Sequence, residues 1–187
     1  MSLKVCFGSA VTAGYTVAVR IIIFSIMPSW GLGGAAATLV GQNLGAKQPE
    51  RAAQSVWRAG FFNMIFLGTV SLLYLIFAPH LVAIFSNDPA VIKYGANCLR
   101  IISLCYIVYA YGLVIIQAFN GAGDTFTPTM VNLVCFWVVQ IPLAFFLGKR
   151  LGFGPNGIYS AILMAEILLS VFSIYLFRLG RWKRKIV

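Results

Sequence analysis

The sequence has little charge, and least of the acidic kind. Only 10% of its 187 residues are Asp, Glu, Lys or Arg, with four acids and one histidine in all, whereas soluble domains average about 25% charged residues. This inventory offers no paired acids for general acid–base catalysis and no side-chain set for a nucleophile or a metal ion. We therefore expect neither a soluble domain nor an enzyme.

Cysteine is also scarce, and its spacing carries no signal. The four cysteines, at positions 6, 98, 105 and 135, lie in or beside apolar segments and form no C-x-x-C pair. Neither a zinc site nor a disulfide framework is predicted from such a pattern. We expect no metal and no cofactor, and we interpret the cysteines as packing residues.

The chain is rich in long apolar runs without charge. Apolar residues make up 60% of it, and the mean hydropathy is +0.91. A helix needs about 20 apolar residues to cross a hydrocarbon core of about 30 Å, and runs of that length recur along the chain. The sequence predicts an all-α polytopic membrane bundle, a single membrane domain over 1–187. Its five predicted transmembrane helices lie near residues 10–44, 58–84, 93–119, 127–148 and 155–178.

The basic excess lies at the ends of these spans. Fourteen Lys and Arg against four acids give a net charge of +10, which in so apolar a chain indicates charge retained at a membrane face and argues against nucleic acid as a partner. Lys47, Arg51 and Arg58 follow the first span, and five basic residues lie in the tail at 178–185. By the positive-inside rule both regions, and so the carboxy terminus, are predicted to be cytoplasmic. The basic pair at 149–150 is then placed outside and counts against this orientation.

One stretch is rich in small residues at regular spacing. Gly33, Ala37, Gly41 and Gly45 recur at every fourth position of the first predicted span. A helix with this spacing presents a groove in which another backbone approaches closely. The stretch lacks the G-x-G-x-x-G and Gly-Lys-Ser/Thr patterns of phosphate-binding loops. We therefore predict a helix-packing face.

Prolines predict both helix starts and helix bends. Asp88-Pro89 and Thr127-Pro128 each pair a capping side chain with a proline at the first helical position, where its missing N–H has no cost. Pro28 and Pro142 instead lie inside predicted spans, where a proline frees the carbonyl four residues back. We expect bends, and candidate hinges, at these two positions.

Three segments, taken together and in order, resemble the carboxy-terminal part of multidrug and toxic compound extrusion (MATE) efflux transporters. They are AAATLVGQNLGAKQPERA at 35–52, QAFNGAGDT at 117–125 and QIPLA at 140–144. The resemblance implies a twelve-helix fold of two six-helix lobes, with alternating access to a central cavity. It also implies that this chain corresponds to the eighth to twelfth helices. We therefore expect a partial carboxy-terminal lobe, an incomplete piece of a transporter whose amino-terminal lobe and seventh helix are missing.

The resemblance further implies a function and its partners. The expected activity is secondary active export of small drugs or toxic compounds, often cationic and aromatic, by antiport with protons or sodium, the ion gradient standing in place of a cofactor. Membrane lipid, the drug, the coupling cation and the amino-terminal lobe are the implied partners, and a multi-pass location in a cell membrane, the inner one of a bacterium, is expected. A lipid-linked oligosaccharide flippase of the same superfamily and a transport-inactive membrane interaction subunit stay open as alternatives.

One departure from the family pattern bears on the identity of the coupling ion. Sodium-coupled relatives carry an acid about three turns before the glycine that matches Gly121. This sequence has Tyr109 in that neighbourhood and no carboxylate. The departure favours protons, or a coupling site in the other lobe.

Ionisable groups inside the predicted spans are the leading candidates for function, because a charge at mid-membrane costs at least about 2.5 kcal/mol. Glu166 belongs to a polar stripe of the last span, whose other members are Tyr159, Ser170 and Ser173. We predict that Glu166 faces protein or water and couples transport to protons, with a structural role as the open alternative. Arg20, deep in the first span, needs an acceptor, and Glu166 is one candidate. A role in the substrate cavity and a structural role are both open for Arg20.

Polar uncharged residues complete the candidate cavity. The third and fourth predicted spans contribute five of them: Tyr106, Tyr109, Gln117, Asn120 and Gln140. A helix that faces only lipid is not expected to carry so many hydroxyl and amide groups. We predict that part of this set lines a cavity.

Overall fold

All regular structure in the part of the chain that is described is helical. The structure, a computed structural model, describes residues 8–184, and of residue 184 only the backbone; Cys6 and Lys185 lie outside this range. The helices are α1 (Ser9–Gly45), α2 (Pro49–Ala83), α3 (Pro89–Ser103), α4 (Tyr106–Gly121), α5 (Phe126–Arg150) and α6 (Gly154–Arg178), followed by a 3-10 turn at Arg181–Arg184. Four of them are long and apolar enough to cross a membrane, and the bent pair α3–α4 makes five. The predicted all-α bundle is confirmed.

Aspartate side chains accept backbone N–H groups at two of the helix starts, those of α3 and α5, and the second differs from expectation. Asp88 caps α3 as predicted, since its carboxylate accepts the Ala90 N–H at 2.8 Å. At the start of α5, however, the helix already begins at Phe126, and Asp124 supplies the cap. The Asp124 carboxylate accepts the Thr127 N–H at 3.3 Å and the Thr127 hydroxyl at 2.7 Å. The prediction of Thr127 as the capping residue is therefore wrong, because Thr127 already lies inside the helix, where its own N–H and hydroxyl donate to Asp124.

Four helices form the core, and the last two are added to one side of it. Helices α1 and α2 pack against each other, and each of them packs against both α3 and α4. Helix α6 packs on α4 and α3. Helix α5 is held mainly by α6. Only 11% of the most apolar stretch of α5 is buried, against 33% for α6. Helix α5 is thus the peripheral helix of the bundle.

The third predicted span is broken in two. Its halves α3 and α4 meet at 63°, at Leu104 and Cys105. The carbonyl of Ser103, at the end of α3, accepts a hydrogen bond from the Ser71 hydroxyl of α2 at 2.8 Å, and the Ser103 hydroxyl donates to the Arg100 carbonyl at 3.0 Å. Side chains that bond to nearby backbone groups compete with the helical pattern. The expectation of one continuous helix here is corrected to a helix break held by a neighbouring helix.

The two interior prolines behave differently from each other. Helix α1 continues from Ser9 to Gly45 through Pro28. Around Pro142, by contrast, a short α-helical piece, Ile141–Phe145, lies between two π-helical segments, Leu133–Gln140 and Phe146–Arg150. A π-helical turn absorbs an irregularity without ending the helix.

Candidate functional site

Glu166 lies on the inner side of α6, beside the break between α3 and α4. Cys105 at that break, Tyr109 one turn further along α4, and Cys135 of α5 lie close enough to the Glu166 carboxylate for its charge to act on them. Its Oε2 atom is buried and has no hydrogen-bond partner within residues 8–184. A buried carboxylate oxygen without a partner is costly, and such an atom calls for a proton, a water molecule or a ligand.

The polar stripe around Glu166 faces protein. Tyr159, Ser170 and Ser173 are all buried, as predicted for a stripe turned away from lipid. The Ser170 hydroxyl donates to the Glu166 backbone carbonyl at 2.8 Å, so it does not serve the carboxylate. The Tyr159 ring stacks on Tyr15 of α1, with ring centroids 6.1 Å apart. The stripe therefore binds α6 to the core but gives the Glu166 Oε2 atom no hydrogen-bond partner among the described residues.

Two tyrosines extend this polar region into the core. Tyr106 is only 1% exposed, and its hydroxyl, although it lies near the Ser25 side chain, has no partner at hydrogen-bond distance in the described part of the chain. Its ring centroid lies 6.4 Å from that of Tyr109 and 6.1 Å from that of Tyr74. The Tyr74 hydroxyl does find a partner, since it donates to the Ile21 carbonyl of α1 at 3.1 Å. We call Glu166, Tyr109 and Tyr106 the break cluster.

Arg20 does not join the break cluster. It lies on the exposed side of α1, and the ion pair that the structure forms within residues 8–184 is between Lys183 and Glu50, at 2.8 Å. The suggested pairing of Arg20 with Glu166 is therefore not formed. The physical reason is position: Glu166 lies on the inner side of α6, near Cys105 and Cys135, whereas Arg20 is exposed on α1.

The predicted amide residues also lie apart from the break cluster. Asn120 Nδ2 donates to Gln117 Oε1 at 3.1 Å, and Gln117 is about 12 Å along α4 from Tyr109 at 1.5 Å per residue. Gln140 is half-buried in a π-helical segment of α5. The structure thus brings together the acid and two tyrosines of the predicted set and separates the rest.

The small residues of α1 pack against α4, as far as α4 extends. A methyl group on Gly121 would overlap the backbone of Ala37, and one on Gly41 would lie 3.2 Å from the Gly121 carbonyl oxygen. A methyl group on Gly33 would lie 3.0 Å from the Leu113 side chain. Gly45 is different, because nothing lies within 4 Å of such a group there. Its assignment to the packing face is corrected: α4 ends at Gly121, so no helix within residues 8–184 packs against Gly45.

Two features of this arrangement were not predicted from the sequence. Gly112 of α4 lies directly against Ser170 of α6, and Gly60 of α2 lies against the Tyr111 ring. Neither glycine has a Gly, Ala or Ser three or four positions away, so neither belongs to a repeat of small residues. A single glycine within an apolar span is the only signal that could have indicated such a contact.

Comparison with known proteins gives a consistent result. Residues 1–146 match the family model described as MatE. The chain is 26% identical, over 96% of its length, to the "Probable multidrug resistance protein NorM" of Thermotoga maritima, and it covers 39% of that protein. It thus spans about two fifths of the length of the curated relatives that it matches.

Solved structures share the fold. An outward-facing conformation of a multidrug resistance MATE family transporter of the MOP superfamily matches with a TM-score of 0.87 and 18% identity, over 97% of this chain and 41% of that one. An inward-facing conformation with a similar description matches with a TM-score of 0.84 and 18% identity, over 94% and 41% of the two chains. At this identity the likeness shows the arrangement of helices.

Proposed function

Because the chain belongs to the MatE family, we propose that it forms most of the carboxy-terminal lobe of a secondary active multidrug efflux transporter. The proposed transporter exports small drugs or toxic compounds, often cationic and aromatic, by antiport with a cation. The observation that carries this proposal is the family match over residues 1–146 of a bundle of membrane-spanning helices. The name of the relative from Thermotoga maritima supports drug efflux over an oligosaccharide flippase.

The proposed transport cycle needs a second lobe. Alternating access arises when one helix bundle rocks against another around a site between them. The amino-terminal lobe is therefore the proposed partner, and Arg20, Gln117, Asn120 and Gln140 are the proposed cavity residues. Arg20 suits this role because it is exposed in the chain as described, and a charge that faced lipid would be costly.

Coupling to the ion gradient is proposed to occur at Glu166. Its Oε2 atom is buried without a hydrogen-bond partner among the residues described, and it can therefore hold a proton. Binding or release of that proton changes the charge beside the α3–α4 break by one unit, and Tyr109 and Cys105 lie close enough to respond. A single carboxylate can hold one proton fully, whereas a hard cation prefers several oxygen ligands, and this supports protons over sodium.

The proposed location is a cell membrane, the inner one in a bacterium, with the carboxy terminus in the cytoplasm. The ion pair between Lys183 and Glu50 joins the tail to the first turn of α2 at 2.8 Å. This contact supports the placement of both basic regions at one membrane face. The excess of Lys and Arg there supports the cytoplasmic side.

The test is export of ethidium from liposomes that contain the protein together with its amino-terminal lobe. We expect export when a pH gradient is imposed, and loss of proton-driven export in Glu166→Gln, which keeps the shape of the side chain but cannot release a proton. Glu50→Gln is the matched control, because it removes the same charge at an exposed position, and it should export normally.

Two results would contradict these proposals separately. Absence of export by the unaltered protein under both proton and sodium gradients would contradict the transport function. Unchanged proton-driven export by Glu166→Gln would leave the function intact and exclude Glu166 as the coupling residue.

A further inference from the structure

A polar cleft lies at the membrane face where α1 ends and α2 begins. Its volume is about 430 Å³, and its lining includes four amide side chains, at 42, 43, 48 and 54, together with Arg51 and Arg58. The short turn between the helices, with Lys47 at φ 57°, places the last turn of α1 beside the first turns of α2. The cleft therefore has walls from two spanning helices and lies at the end of both.

The two guanidinium groups of the cleft form no ion pair with an acid in the part of the chain that the structure describes. No carboxylate is among the described residues that line it. The nearest acid in sequence, Glu50, is bound to Lys183 at 2.8 Å and borders a separate pocket. Arg51 makes one 3.4 Å hydrogen bond, to the amide oxygen of Gln48. Two arginines with neighbouring amide donors match an anion that offers several acceptor oxygens, and arginine binds phosphate oxygens in pairs.

The same face of α2 continues as an apolar surface. At helical spacing beyond Arg58 it carries four exposed large side chains: Phe62, Ile65, Leu72 and Ile76. Thr69, which lies between them, satisfies its own hydroxyl by donating to the Ile65 carbonyl at 2.9 Å. Leu39 of α1, which is 41% exposed, adds an apolar edge to the cleft itself. A small free anion would leave this apolar surface uncovered, whereas a ligand with an anionic head and hydrocarbon chains would cover both parts.

We propose that this cleft binds the phosphate headgroup of an acidic phospholipid, whose acyl chains lie along the exposed face of α2. Arg51 and Arg58 bind the phosphate oxygens, and the amide side chains donate to the remaining acceptors of the headgroup. The site lies on a different part of the chain from the break cluster. It does not depend on the proposed transport activity.

The test measures lipid binding to the purified protein in a nonionic detergent by native mass spectrometry. The probes are phosphatidylglycerol, phosphatidylcholine and inorganic phosphate. We expect phosphatidylglycerol to bind more tightly than phosphatidylcholine, and Arg51→Gln/Arg58→Gln to weaken phosphatidylglycerol binding by about tenfold or more, as expected when charge-assisted hydrogen bonds are lost. Lys149→Gln/Arg150→Gln is the matched control, since it removes the same charge outside the cleft, and its binding should be unchanged.

Each other outcome would overturn the proposal. Equal weakening in both double variants would show general attraction to basic residues in place of a site. Inorganic phosphate that binds as tightly as phosphatidylglycerol would show that the acyl chains contribute nothing. If the Arg51→Gln/Arg58→Gln protein fails to fold, the unaltered protein still decides, because equal binding of phosphatidylglycerol and phosphatidylcholine would contradict recognition of an acidic headgroup.

Discussion

The two ends of α4 are built in opposite ways. At its carboxyl end, Gly121 lies against the backbone of Ala37 with no side chain between the helices. At its amino end, the break cluster places large polar side chains in the core, and two of their oxygens, on Tyr106 and Glu166, have no hydrogen-bond partner in the chain as described. The close contact at the carboxyl end leaves no room for an added side chain. The amino end has hydrogen-bonding capacity left over, which is the property that a proton-binding region needs.

The largest loss of stability is expected at the carboxyl end of α4, where the two helix backbones are in contact. In Gly121→Ala, the new methyl group would overlap the backbone of Ala37, and two helix backbones cannot both move at low cost. We expect a loss of about 3 kcal/mol in the free energy of unfolding, measured by unfolding in mixed detergent and SDS micelles. Gly45→Ala is the matched control, because Gly45 is also the last residue of its helix but has nothing within 4 Å. Equal stability of the two variants would contradict the close approach of α1 and α4.

A smaller effect is expected at the helix break. Ser71→Ala removes the hydroxyl that donates to the buried Ser103 carbonyl at 2.8 Å. A buried acceptor left without its donor costs about 1–3 kcal/mol, and the same unfolding measurement should show it. Ser55→Ala is the control, since its hydroxyl donates to the Arg51 carbonyl within its own helix at 2.9 Å. If both variants lose the same stability, the break is not held by α2.

The smallest change in stability is expected when single tyrosine hydroxyls of the polar region are removed, and it distinguishes a hydrogen-bonded hydroxyl from one without a partner. Tyr74→Phe removes a hydroxyl that donates to the Ile21 carbonyl at 3.1 Å, and it should lose about 1 kcal/mol of unfolding free energy. Tyr106→Phe removes a buried hydroxyl that has no partner among the residues described. It should therefore leave stability unchanged or slightly raised. A loss as large as that of Tyr74→Phe would show that the Tyr106 hydroxyl is already satisfied, and would weaken the proposal that this region is open to a proton.

Much of the fold could be predicted because membrane helices depend on length and composition. Charge-free runs of sufficient length indicated the spans, and the Asp88-Pro89 pair indicated where α3 begins. The break at Leu104 and Cys105 was missed, because neither a proline nor a glycine stands there. It is held by the Ser71 hydroxyl, which lies on another helix, 32 residues before the Ser103 carbonyl that it binds.

The candidate site, like the fold, could be predicted only in part. The polar stripe of α6 was predicted from helical spacing alone, and its burial agrees. The partners of Glu166 were not predictable, because a stripe shows which residues share a face but not which helix that face meets. Arg20 illustrates the consequence: Glu166 was one candidate acceptor for it on chemical need, and within residues 8–184 the two form no ion pair.

The sequence by itself therefore determined that the protein lies in a membrane and that its elements are helices. So few charges and so many long apolar runs permit only helices that cross a membrane, since every backbone group there must be paired within the helix. Only the tertiary structure decided which small residues became contacts and which polar atoms stayed unpaired. The spacing of Gly33, Ala37, Gly41 and Gly45 is uniform, yet the contact stops where α4 ends. The physical reason is that spacing belongs to one helix, whereas contact and hydrogen bonding need a second helix at a defined position and of a defined length.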